Sequence, residues 1–296
     1  MNITNPIFHD EIKARKHLET LRWADGPFCP RCGGTKVTRL KGKAEKLGQL
    51  ICNPCRKKFT VTVGTLFERS HIPLHKWIFA FHLMAASKKG ISAHQLHRML
   101  GITYKSAWFM AHRIREAMRE VSPSPLGGEG KTVEVDETFV GRKRGRKKVA
   151  GVHHKMAVLT LLERGGKARS FHVKNATLKG IMPVLRIHLN RESAVMTDDA
   201  TYYRNLYMIY KSHDAVAHSR GEYGRGEIHT NTIEGFFSIF KRGMRGVYQH
   251  CAEHHLHRYL SEFDFRYNHH RITDWERTSI ALKGIEGKRL TYRRVA

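Results

Sequence analysis

Three acidic side chains stand out in a strongly basic chain. Asp136 lies inside the apolar run "TVEVDETFVG", where Val133, Val135, Phe139 and Val140 read as a strand. Asp198 ends a second such run, "SAVMTDDATYY", and Glu234 lies in "HTNTIEGFFSIFKRG". An Asp within a strand is unfavourable, and costly if buried without a partner, so these positions ask for a chemical reason. Two or three carboxylates converging from separate elements can hold two divalent ions about 3.5–4 Å apart, an arrangement that serves phosphoryl transfer on nucleic acid. Four cysteines form a second constellation: Cys29 and Cys32 in "CPRCGG", and Cys52 and Cys55 in "CNPCRKKF". Their spacing, Cys-x2-Cys-x19-Cys-x2-Cys, is that of a four-thiolate zinc site. A redox CxxC needs only one pair, and a site closed by four ligands is structural rather than catalytic. Cys251 stands apart and reads as an ordinary buried thiol.

These residues need elements to position them. Between the cysteine pairs there is room for a short β-hairpin, hence a zinc ribbon. From Lys88 to Met118, Leu96, Met99 and Leu100 give one apolar face. Gly101 then punctuates, and Thr103 can cap a second helix carrying Ala107, Trp108, Ala111, Ile114 and Arg115. That is a helix-turn-helix shape, with Tyr104, Lys105 and Ser106 at the exposed start of its second helix. A plain helical hairpin is the alternative. The stretch "SPSPLGGEG", 122–130, cannot sustain a helix and reads as a linker. Beyond it, the strand-like runs "TVEVDETFVG", "KMAVLTLLER" and "ARSFHVKN" precede a helical pattern from Leu178 to Leu189, another strand and more helix, which is an α/β order. In the segment 229–243, Ile233, Phe236, Phe237 and Phe240 make one apolar helical stripe. Asn231, Glu234, Ser238, Lys241 and Arg242 share another side, either a solvated face or one that holds a carboxylate in a site. The expected domains are 1–65 (N-terminal helix and zinc ribbon), 66–121 (helical, helix-turn-helix), 122–130 (linker), 131–275 (catalytic α/β domain) and 276–296 (basic tail).

Charge narrows the partner. Fifty-three Lys and Arg face 26 Asp and Glu, a formal +27. A fold does not need that excess, and a polyanion, nucleic acid first, explains it. The longest apolar run, "WIFAFHLMAA" from Trp77, is half a membrane span and contains His82. With no apolar leader at the start and paired cysteines suited to metal, the expectation is a cytoplasmic, nucleoid-associated bacterial protein with no membrane partner. The histidine pairs at 153/154, 254/255 and 269/270 lack companion ligands and read as helix surface or DNA-facing residues.

Sixty-one residues (137–197) separate Asp136 from Asp198, and 35 (199–233) separate Asp198 from Glu234. This resembles the D…D(35)E pattern of the DDE transposase and retroviral integrase superfamily. "HLETLRWADGPFCPRCG", "VEVDETFVGRKR", "TDDATYY" and "HTNTIEGFFSIFKRGMRGVY" together are similar to bacterial insertion-sequence transposases with an N-terminal zinc ribbon, from about Leu18 to Asn268. The resemblance implies a multidomain fold: a small zinc ribbon and an α-helical helix-turn-helix region, then an α/β ribonuclease-H-like catalytic domain with a mixed five-stranded sheet. It implies Asp136, Asp198 and Glu234 as ligands of two Mg²⁺ or Mn²⁺ ions, Zn²⁺ at the four cysteines, and Lys241 with Arg242 on DNA phosphates. In that family the third position is Glu or Asn followed by Lys. The 35-residue spacing favours Glu234, with Asn231 as its rival or a fourth contact. Tyr104, Lys105 and Ser106 would reach DNA, and Arg142, Lys143 and Arg144 of "RKRGRKK" are either a solvated loop or a grip on DNA. His229 reads as a helix-start residue; Glu134, Glu137 and Asp199 read as outer shell or solvent-facing. The implied reaction cleaves element ends at terminal inverted repeats in double-stranded DNA. It then joins the freed 3′-OH to target DNA by in-line transesterification, in a homodimer or higher oligomer on paired ends. The alternatives are a catalytically silent DNA-binding regulator and a metal-dependent nuclease without strand transfer.

Overall fold

The computed structural model describes residues 2–217, 220–222 and 224–291. It divides into two compact units. The first comprises residues 1–87, 91–119 and 271–296; the second comprises 88–90 and 120–270.

In the first unit, α1 (Glu11–Arg22) starts where Asp10 accepts the amides of Ile12 and Lys13 at 2.8 and 2.9 Å, the ordinary N-cap solution for unpaired first-turn amides. Strands β1 (Val37–Arg39), β2 (Leu50–Cys52) and β3 (Lys58–Phe59) form a three-stranded antiparallel sheet, with the short α2 (Lys43–Lys46) between the first two. The apolar run from Trp77 lies in α3 (Leu74–Ala86), whose Trp77, Ile78, Phe81 and Met84 are buried as the centre of this unit's core. Among the described residues no helix is long and apolar enough to cross a membrane. Helix α4 (Ala93–Leu100) ends on Gly101, whose φ of +57° suits a glycine. Helix α5 (Tyr104–Met118) then begins with Thr103 capping the Ser106 amide.

The expected basic tail is instead helical at its start. α9 (Asp274–Lys283) opens on a capping box between Thr273 and Glu276 and buries Thr278, Ala281 and Leu282 against α3 and α5 of the same unit. Thr278 Oγ1 lies 3.1 Å from Nδ1 of the buried His82. Residues 292–296 of the expected tail lie outside the described residues. The stretch read as a linker also differs: Leu126 is buried in the second unit's core, and its amide donates to the carbonyl of His188 at 2.8 Å.

The second unit is a mixed five-stranded sheet in the order β6-β5-β4-β7-β8. Strands β4 (Thr132–Val140), β5 (Met156–Glu163) and β6 (Ala168–Val173) pair antiparallel; β7 (Ala194–Asp198) and β8 (Ser212–Val216) continue parallel to β4. Each face carries its own core. Val133, Val135, Leu159 and Leu161 meet Ile181 and Leu185 of α6 (Leu178–His188) on one side. On the other, Val140, Val158 and Leu162 meet the phenylalanines of α7 (Asn231–Gly243) together with Tyr259, Leu260 and Phe263 of α8 (Leu256–Asn268). The expected stripe of Ile233, Phe236, Phe237 and Phe240 is therefore core. Strand β6 is an edge, and α8 covers it. Asn268 accepts the Ala168 amide (2.7 Å) and donates to its carbonyl (3.0 Å), while Asp264 accepts the Ser170 amide at 2.8 Å, so side chains satisfy backbone groups that would otherwise recruit another strand.

Candidate active site

Alternation along β4 sets the site. Val133 and Val135 point into the α6-side core, so Glu134, Asp136 and Val140 face the α7 side. The parallel register pairs Glu134 with Met196, which puts Asp198 at the end of β7 beside Asp136 on the same face. Asp136, Glu137 and Asp198 each offer a carboxylate oxygen within 4.8 Å of the others. Asp136 Oδ1 accepts the Glu137 amide at 2.7 Å, and Asp198 Oδ1 accepts the Ala200 amide at 3.2 Å. Glu137 is held by two tyrosines: Tyr203 donates to Oε2 at 2.8 Å, and the Tyr202 hydroxyl donates to Oε1.

Burial pushes Asp136 up to about 8, and the charges of Glu137, Asp198 and, less, Glu234 push the same way. Glu137 is also raised, chiefly by burial, against the lowering effect of its tyrosine hydrogen bonds. Three crowded carboxylates of which one retains its proton are a donor set short of positive charge. All the donors are hard oxygens, the kind that divalent Mg²⁺ and Mn²⁺ accept.

Glu234 sits in the first turn of α7, exposed, outside the 4.8 Å group yet close enough for its charge to raise Asp136. Asn231 is the first residue of the same helix, also exposed. Lys241 is half-buried with Nζ 5.9 Å from the centre of the Phe237 ring. Seven residues beyond Glu234, it lies on nearly the same side of α7, roughly 10 Å along the axis. The Arg242 guanidinium bonds back to the Ser238 carbonyl and hydroxyl, at 3.1 and 2.6 Å. Glu137, expected in the outer shell or facing solvent, is instead one of the three grouped carboxylates. The available signal is the tyrosine pair that closely follows Asp198, whose hydroxyls tie it to the site. Glu134, expected in the outer shell or facing solvent, is fully buried.

The cysteine site closes as its spacing implies. Cys29 and Cys55 sulfurs lie 3.7 Å apart, Cys32 and Cys52 3.5 Å apart, and all four converge within 4.8 Å. Both knuckles close the same way: the Gly33 amide donates to the Cys29 carbonyl at 2.9 Å, and the Arg56 amide to the Cys52 carbonyl at 2.8 Å. Each donor residue has positive φ, +73° and +58°, which glycine adopts freely and arginine adopts at a cost. Burial opposes ionisation of Cys29, but the amides of Arg31 and Cys32 and the neighbouring thiols lower it to about 7. The Cys55 amide lowers Cys52, but burial and the neighbouring thiols push it up to about 12, so a metal would have to displace protons from the set as it binds.

Residues 125–268 match the family described as the ISXO2-like transposase domain, and residues 9–58 match the transposase zinc-ribbon domain. The chain matches both domains of the zinc-ribbon DDE transposases. The first match contains the whole carboxylate site with α7 and α8; the second contains all four cysteines. A protein of the transposable element ISH50 from Halobacterium salinarum is 29% identical over 279 residues, covering 88% of this chain and 91% of that protein.

The remaining candidate residues lie elsewhere. Tyr104 is 44% exposed and stacks on His94 with ring centroids 4.2 Å apart. Lys105 is exposed, whereas Ser106 is drawn into the cap, its hydroxyl accepting from Thr103 at 2.9 Å. Arg142 and Arg144 are exposed on the loop after β4, which with His172, Glu253 and His254 borders a cleft of about 910 Å³. Lys143 is turned inward, donating to the Lys174 carbonyl at 2.9 Å.

Proposed function

We propose that the chain is a DNA transposase whose first unit binds element ends and whose second unit cleaves those ends and joins them to target DNA. The observation that carries the reading is the meeting of Asp136 and Asp198 on one face of adjacent strands, inside the stretch that matches a transposase domain. The sheet order, three antiparallel strands followed by two parallel ones, supports a ribonuclease-H-like catalytic domain. The Gly-bearing turn between α4 and α5, with Tyr104 and Lys105 exposed beyond it, supports a helix-turn-helix reader of terminal repeats.

Asp136 and Asp198 would hold the divalent ions, with Glu137, oriented by its two tyrosines, as a neighbouring ligand or their support. Glu234 or Asn231 would complete the set from the start of α7. Divalent ions bound there supply Lewis-acid activation of the phosphodiester and of the attacking hydroxyl. Lys241 would hold a DNA phosphate on the same side of α7. The four cysteines would hold a structural zinc. Exposed Lys and Arg across a chain of formal charge +27 would carry the DNA backbone. Joining two ends calls for two active sites, hence a dimer or larger assembly.

The test is strand transfer with repeat-end DNA and Mg²⁺. Asp136→Asn should abolish joining and leave end binding intact; joining that persists in this variant would sink the assignment. Cleavage without any joined product would favour the nuclease reading.

A further inference from the structure

Glu134 is a fully buried carboxylate in the middle of the sheet, a position that costs several kcal/mol unless its charge is met. It is met from two places far apart in the chain. Arg164, in the turn after β5, donates Nε to Oε1 at 2.7 Å. The start of α7 supplies the rest: the Thr232 hydroxyl donates to Oε1 at 2.9 Å, the Ile233 amide donates to Oε2 at 2.8 Å, and His229 Nδ1, just before the helix, lies 3.3 Å from Oε1. Arg164 also holds the approach to that helix, donating to the carbonyls of Glu227 and His229, both at 2.7 Å. Thr230, at the N-cap position, makes no side-chain capping bond. A strand carboxylate therefore caps α7 from outside, where the helix dipole favours a negative charge.

We infer that Glu134 and Arg164 are positioning residues that set the start of α7 against β4 and so fix the third metal-binding position relative to Asp136. This rests on the reading of Asp136 and Asp198 as metal ligands. The clamped residues, Thr232 and Ile233, lie between the two contenders Asn231 and Glu234, so either one is fixed by the same bonds. Glu134 is two residues from Asp136 on the same face of the same strand, roughly 7 Å along it. The clamp thus ties the third ligand position to the first through one buried side chain.

The experiment compares wild type with Glu134→Gln, Thr232→Ala and the conservative Thr232→Ser. Mn²⁺ binding to the protein is read by electron paramagnetic resonance, and backbone order by hydrogen exchange. Glu134→Gln and Thr232→Ala should weaken Mn²⁺ binding about 10–100-fold, the usual cost of an outer-shell change. Exchange should rise in 229–236 while β5 and α8 keep their protection, and Thr232→Ser should restore both readouts. Faster exchange throughout the sheet would make Glu134 a merely structural residue. Local loosening with unchanged Mn²⁺ affinity would overturn the link to the metal, as would a wild type that binds no Mn²⁺. If the Mn²⁺ effect holds while wild type neither cleaves nor joins end DNA, the clamp stands and the transposition reading falls.

Discussion

Replacing Asp136 by Asn should stabilise the metal-free protein at alkaline pH while abolishing its chemistry. Asp136 keeps its proton in the folded state up to about pH 8, against 3.8 ordinarily, because burial and three neighbouring carboxylates disfavour its charge. Between those values the folded chain binds more protons than the unfolded one. Stability therefore falls as pH rises through the window, by about 1.4 kcal/mol per pH unit, and the loss is complete above about pH 8. Asn never ionises, so the variant lacks this slope; Glu137, also raised, contributes a smaller decline to both proteins. From pH 5 to pH 8 the stability of Asp136→Asn relative to wild type should climb by roughly 4 kcal/mol. Mg²⁺ should narrow the difference, since a cation at 100 times its dissociation constant adds about 2.7 kcal/mol to wild type and has one ligand fewer in the variant. All four tryptophans, Trp23, Trp77, Trp108 and Trp275, lie in the first unit, so their fluorescence is blind to the effect. Urea titration followed by hydrogen exchange in β4 and β5 reads the second unit directly. A wild-type-to-variant difference that stays flat from pH 5 to pH 8 would refute the account of a crowded, protonated carboxylate cluster.

Three further outcomes follow from the same geometry. Cys52→Ala should release the zinc equivalent seen by elemental analysis and abolish end binding, yet leave exchange in β4 and β5 unchanged. End binding that survives chelation would count against a structural role for the metal. Glu234→Gln and Asn231→Ala separate the contenders at the start of α7: loss of the direct ligand should exceed the roughly 10–100-fold cost of an outer-shell change in end cleavage, and the other substitution should fall short of it. Arg142→Ala with Arg144→Ala should lower DNA affinity and flatten the dependence of log K on log salt by about 1.8, near 0.9 for each phosphate no longer neutralised. An unchanged salt slope would return that loop to solvent.

What could be read from the chain tracks how local the determining interactions are. The zinc knuckles are set by spacing within a few residues, so four cysteines sufficed. The phenylalanine stripe of α7 follows from helical period alone, and Asp136 and Asp198 betrayed themselves as acids in apolar strands. Glu134 and Glu137 read only as outer shell or solvent-facing, because their partners are distant. Arg164 and Thr232 reach Glu134 from 30 and 98 residues away, and the tyrosines reach Glu137 from 65 and 66. No periodicity reports such a meeting. The start of α9 is a different case, since Thr273 and Glu276 carry a capping box that is local in the sequence but set within a basic stretch. These two glutamates also bear on why a chain of formal charge +27 concentrates acids in one place. Asp136 and Asp198 crowd carboxylates whose charges disfavour one another, an arrangement that a divalent cation would relieve, whereas Glu134 is met by Arg164 and a helix start. In the proposed reading, one set of carboxylates would hold metal and the other would hold the helix in place. Neutralising Glu134 should therefore act on geometry, and neutralising Asp136 on charge.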